Sequence, residues 1–158
     1  MMTPARCLNQ LTMKPTNTHL ILLADDDEDD QLLIGALIRQ HCADCTFETV
    51  DNGQALLDRL GEDRPLPALI LLDLNMPLLG GLDVLRHRQA SEHLRSIPVI
   101  VLTTSAEETD VNRSYALGAN AFLTKPGNYD ELADMILHLR DFWLKQARLP
   151  TPEATILN

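Results

Sequence analysis

HLILLADDDEDD, residues 19–30, sets a nearly continuous apolar run against six consecutive acids. His19–Ala24 reads as a short strand, because a run this brief and this apolar suits a strand buried on both faces. Two further runs of the same kind follow, LILL at Leu69–Leu72 and IPVIVL at Ile97–Leu102. Thr46–Val50 alternates apolar and polar residues up to the turn signal Asp51-Asn52-Gly53, and Ala119–Thr124 makes a fifth strand. Helical spacing occupies the intervals: Gln31–Arg39, Ala55–Leu60 closed by Gly61, about Leu82–Leu94, Glu107–Leu117 stopped by Gly118, and Tyr129–Ala147. Five βα units predict an α/β fold with a five-stranded parallel, doubly wound sheet. In such folds ligands sit beyond the carboxyl ends of the strands, so the residues just after each strand should carry the chemistry.

The rest of the composition narrows the function classes. A formal net charge of −10 opposes binding to nucleic acid or an anionic membrane surface, which depends on Lys and Arg. No apolar stretch approaches the roughly 20 residues of a membrane-spanning helix. The N-terminus lacks a secretory apolar segment, so a cytoplasmic location is expected. Residues 1–18 read as a loose tail, with Met13 an alternative start, residues 19–147 as the domain and 148–158 as a second tail. Cys42-Ala-Asp-Cys45 has redox-motif spacing, yet it closes a helix rather than opening one, and only His41 lies nearby as a further zinc ligand. These cysteines are expected to be incidental, reduced thiols.

Four strand ends carry reactive groups. After the first come Asp25 and Asp26; Glu28, Asp29 and Asp30 fall in a helix's first turn, where the dipole favours them. Asp25 and Asp26 have no such compensation, and a hard divalent cation would relieve their repulsion. A solvated acidic face is the plainer alternative. After the third strand comes Asp73, either a turn cap or a nucleophile able to form an aspartyl phosphate. Asn75 could offer its backbone carbonyl to the same cation. After the fourth come Thr103, able to bond a phosphoryl oxygen, and Ser105, which with Glu108 reads as a capping box. After the fifth comes Lys125, facing the acids and placed to neutralise phosphoryl charge; its bond to Pro126 is of a kind that can be cis. Each signal is weak alone, and together they match the needs of phosphoryl transfer.

On these motifs the chain resembles the receiver domains of two-component response regulators, over about residues 19–144. The set is the pair Asp25-Asp26, Asp73 in LLDLNMP with Gly80-Gly81, Thr103, and Lys125-Pro126. The resemblance implies a flavodoxin-like fold and phosphorylation of Asp73 by a sensor histidine kinase. It also implies Mg²⁺ held by Asp25, Asp26, Asp73 and the Asn75 carbonyl, with Thr103 and Lys125 contacting the phosphoryl group. Phe122 matches an aromatic switch position, although a core-facing strand residue reads the same. SYALGANAFLTKP and FWLKQARLP look like the small regulators paired with bacterial phytochromes; many of these have Glu-Asp-Asn where this chain has Asp25-Asp26-Asp27.

Since the sequence shows no second module after the last helix, output through protein contacts is expected. Leu132, Ile136, Leu139 and Trp143 form one helical stripe. Phe142, Trp143 and Leu144 lie where little sheet remains to cover them, which predicts a partner or self-association surface and a homodimer. A phosphorylation-independent scaffold and a Mg²⁺-dependent phosphatase are the alternatives.

Overall fold

The computed structural model describes residues 19–150, so the proposed tail at 1–18, Cys7 and residues 151–158 lie outside it. The order is β1 (His19–Ala24), α1 (Glu28–His41), β2 (Cys45–Val50), α2 (Gly53–Leu60), β3 (Leu69–Leu72), α3 (Gly81–Ala90), α4 (Glu92–Arg95), β4 (Val99–Thr103), α5 (Glu108–Ala116), β5 (Ala121–Thr124) and α6 (Tyr129–Arg140). All strand pairs are parallel, in the order β2-β1-β3-β4-β5. β1 therefore sits centrally beside β3, which brings the chain after Ala24 next to the chain after Leu72.

Because successive strand residues point to opposite faces, the apolar strands serve two cores. Leu22, Ala24, Ile70, Leu72, Val99 and Val101 pack with Leu56, Val84 and Leu85 of α2 and α3. Ile21, Leu23, Leu69, Leu71, Ile100 and Leu102 pack with Ile34 and Ile38 of α1 and with Leu132 and Ile136 of α6. That double burial is why these strands are apolar throughout.

Capping explains where several boundaries depart from the expected ones. Asp27 accepts the Asp30 N–H at 3.1 Å, so α1 starts at Glu28. Asn52 accepts the Ala55 N–H at 2.7 Å and starts α2 at Gly53. Ser91 has an extended backbone and accepts the Leu94 N–H, splitting the expected single helix at 82–94 into α3 and α4. The last helix is α-helical only to Arg140 and continues as a wider π-type turn over Asp141–Gln146. Ser105 does not form the expected capping box: α5 starts later, with Glu107 at its cap, and the Ser105 hydroxyl donates to Asp110 at 2.6 Å.

One further expectation is corrected. Cys42 and Cys45 are joined by a disulfide, with Cα atoms 5.4 Å apart, rather than left as free thiols. The turn between α1 and β2 is tight enough for this, the Cys45 N–H donating to the Cys42 carbonyl at 3.2 Å. The Lys125–Pro126 bond is trans, as is every peptide bond among the described residues.

Arg59 and Arg88 are buried charges away from the acidic strand ends, and Arg59 is paired with a carboxylate. Arg59 is 5% exposed and its Nε donates to Glu48 at 2.8 Å, while Arg64 meets the other Glu48 oxygen at 2.9 Å. The Arg59 hydrogen bond, working against burial, holds the Glu48 carboxyl below its usual 4.5. Glu48→Gln should therefore cost about 2 kcal/mol at neutral pH, the scale of a hydrogen bond to a charged group. A carboxyl lowered in the folded state stabilises above its unfolded pKa and loses that contribution as pH falls through its folded value. Urea unfolding followed from neutral to acid pH should show the acid loss of stability flattened in Glu48→Gln.

Candidate metal and phosphoryl site

The alternation that buries β1 and β3 ends at two carboxylates. Asp25 is fully buried and Asp73 is 6% exposed, because each continues a central strand by one residue. The Asp73 N–H donates to the Ala24 carbonyl at 2.9 Å, which ties the two strand ends together. Asp26 is exposed, and one oxygen of each of Asp25, Asp26 and Asp73 lies within 4.8 Å of the others. All are hard oxygen donors, and a compact set of carboxylates without enough cations suits a divalent metal ion.

Asp73 is held on both sides. Its Oδ1 accepts the Thr103 hydroxyl at 2.8 Å and the Asn75 N–H at 3.3 Å. Thr103 is fully buried at the end of β4. The loop after Asp73 folds back closely: a side chain on Gly81 would run into the Asp73 carbonyl oxygen, so only glycine fits there. Leu78 in the same loop is 84% exposed and adopts a φ of 65°, a strained conformation for a branched side chain.

Lys125, just after β5, is buried against the acids. Its Nζ lies 2.5 Å from Asp25 Oδ2, 2.8 Å from Asp30 Oδ2 and 3.9 Å from Asp73 Oδ2. Burial alone would lower the pKa of this ammonium, but the hydrogen bonds to Asp25 and Asp30 carry it above its ordinary value, so it stays charged. Burial pushes the Asp25 carboxyl up to about 6, with Lys125 and the Asp27 N–H pulling the other way.

The structure thus brings Asp25, Asp26, Asp73, Asn75, Thr103 and Lys125 to one edge of the sheet. Phe122 stands apart, half-buried on β5 beside Val101, its N–H donating to the Tyr115 hydroxyl at 3.2 Å. Asp30 escaped the sequence reading because the helix dipole alone accounted for it. Its position, three residues after the cap Asp27, was the available signal. Gln31 was missed too; its amide bridges the Asp25 carbonyl and Asp51 Oδ1.

At the far end of α6 the exposure is uneven. Phe142 is 57% exposed, whereas Trp143 and Leu144 are half-buried against the second core, so the expected Phe-Trp-Leu patch reduces to Phe142 and the edge of Trp143. The two rings meet edge to face, with centroids 5.4 Å apart. Beside them a mainly apolar groove of about 450 Å³ runs between β5 and α6, with Leu123, Met135, Phe142 and Trp143 in its lining together with Glu131, Asp134 and His138.

Comparison with known proteins agrees with this layout. A family-wide profile described as the response regulator receiver domain matches residues 21–137. The chain is 38% identical over 136 residues to the response regulator Rcp1 of Synechocystis, covering 83% of this chain and 92% of that protein. It is 36% identical over 137 residues to the probable methanogenesis regulatory protein FilR2 of Methanothrix harundinacea, covering 84% and 88%. The crystal structure of the Mn²⁺-bound form of Rcp1 matches with a TM-score of 0.80 at 37% identity, covering 84% of this chain and 99% of that one. The phosphorylated cyanobacterial phytochrome response regulator RcpA matches with a TM-score of 0.80 at 34% identity, covering 84% and 98%. The profile spans most of the chain and the sheet order, strand ends and relatives agree: the chain belongs to the family of response regulator receiver domains.

Proposed function

We propose that this protein accepts a phosphoryl group on Asp73 from a sensor histidine kinase and signals through protein contacts. The observation that carries this is the grip on Asp73: a buried hydroxyl on one oxygen, a buried ammonium near the other, and two more carboxylates alongside. Attack by an Asp73 oxygen on phosphorus forms the new P–O bond as the P–N bond to the kinase imidazole breaks, and the electron pair leaves with the nitrogen. Thr103 and Lys125 are positioned to exchange Asp73 oxygens for phosphoryl oxygens, which stabilises charge where it develops. Asp25, Asp26, Asp73 and the Asn75 carbonyl would hold a divalent ion, Mg²⁺ in our reading. When bound, it supplies further neutralisation of the phosphoryl oxygens. Movement of Thr103 and Lys125 would draw on β4 and β5 and so on Phe122, biasing a two-state equilibrium of the surface over α5 and β5.

The likeness to RcpA and Rcp1 supports a bacterial phytochrome as the kinase. A cytoplasmic location belongs to the same reading, and no described helix is long and apolar enough to cross a membrane. Incubation with a small phosphodonor and Mg²⁺ tests the whole. One base-labile phosphoryl group per chain, lost slowly by self-dephosphorylation, is expected; rapid turnover of the donor would indicate a phosphatase, and no label a scaffold.

The same reading includes a homodimer built on Phe142 and the edge of Trp143 with the groove beside edge strand β5. Phe142→Asp should cost about 2 kcal/mol for each copy. Two symmetric copies make roughly a thousandfold in the dimer Kd. Sedimentation should show wild-type dimers and variant monomers; a wild type that stays monomeric at high micromolar concentration contradicts the dimer.

A further inference from the structure

Both oxygens of Asp25 are already engaged. Oδ1 accepts the Asp27 N–H at 2.9 Å and Oδ2 accepts the Lys125 ammonium at 2.5 Å. A divalent ion that joins Asp26 and Asp73 to Asp25 through Oδ2 competes with Lys125 for that oxygen. An ammonium displaced there would be left buried without a partner, an arrangement that strongly opposes metal entry. Asp30 changes that. It is not one of the three grouped carboxylates, yet its Oδ2 lies 2.8 Å from the same ammonium, from the first turn of α1. An ammonium has three N–H donors, so Lys125 can give up one partner and keep another.

We propose that Asp30 is a positioning residue, the acceptor that retains Lys125 when a metal ion takes Asp25, so that metal entry does not strand a buried charge. This rests on the reading that Asp25, Asp26 and Asp73 bind a divalent ion. Asp30 then keeps the ammonium beside Asp73, at the distance from which it meets an incoming phosphoryl group.

The test is a double-mutant cycle on Mg²⁺ binding, measured by calorimetry on the unphosphorylated full chain. Asp30→Asn is expected to weaken the Mg²⁺ Kd about tenfold, within the range of couplings between contacting groups. In a Lys125→Met background, where no ammonium needs a partner, the same change should weaken it by only about twofold or less. Asp30→Glu should retain near wild-type binding because the carboxylate remains. Thermal unfolding of each variant without metal confirms that all are folded; Asp30 is partly exposed and its replacement leaves both cores intact. Equal weakening in both backgrounds would show Asp30 acting as a plain charge, and no weakening in the first would show no role; either overturns the proposal while leaving the metal site standing. Failure of the wild type to bind Mg²⁺ at all overturns the metal site, and the proposal with it.

Discussion

Asp73→Asn is expected to reduce phosphoryl incorporation from a small phosphodonor below detection, at least a hundredfold under wild type. An amide offers no nucleophilic carboxylate oxygen, and no other acid is held as Asp73 is. The fold should survive, because an Asn oxygen can still accept the Thr103 hydroxyl that now reaches Asp73 at 2.8 Å. Removing one of three crowded carboxylates also relieves repulsion in the metal-free protein. Thermal unfolding without metal should therefore show equal or greater stability, by about 1 kcal/mol, the pattern expected where function imposes a destabilised site. Loss of label together with loss of the fold would instead mean that Asp73 is structural.

Lys125→Met should separate metal binding from phosphoryl transfer. The ammonium occupies Asp25 Oδ2, so its removal should tighten Mg²⁺ binding, by about tenfold for a removed competitor of this kind. The rate of Asp73 phosphorylation should nevertheless fall by roughly a hundredfold, the scale of removing one preorganised group from a developing charge. In the metal-free protein, Asp25, Asp30 and Asp73 lose their shared counter-ion, at a cost of about 3 kcal/mol. Added Mg²⁺ should restore most of it, which thermal unfolding with and without metal measures. Tighter metal binding with slower chemistry distinguishes this arrangement from one in which Lys125 only supports the fold, where both would weaken.

These residues also mark how far the sequence could be read. β1, β3 and β4 were legible because burial on both faces requires apolar residues throughout, and runs of four to six residues are too short for a buried helix. Asp25, Asp73, Thr103 and Lys125 were legible as a consequence, each being the first polar residue past an apolar strand or next to it. What escaped depended on side-chain competition. Asp27 and Asn52 each accept a backbone N–H, and that decides helix starts to within the two or three residues by which the expectations missed, while Ser91 does the same inside a helix expected to be continuous. Asp30 looked sufficiently explained by the helix dipole, and only the fold brings Lys125 to it across 95 positions of sequence. The Phe142-Trp143-Leu144 patch was overestimated because the π-type turn rolls Trp143 and Leu144 back onto the second core. The cysteine pair was misjudged because the sequence did not reveal how tightly the turn from α1 to β2 closes.

The most direct measurement maps the phosphoryl group itself. The protein is incubated with a small phosphodonor and Mg²⁺, reduced with borohydride, which converts an aspartyl phosphate to homoserine, and its peptides are sequenced by mass spectrometry. The arrangement described above predicts homoserine at position 73 and nowhere else. Homoserine at Asp25 or Asp26, or a borohydride-resistant phosphoryl group on a hydroxyl or imidazole, would contradict it.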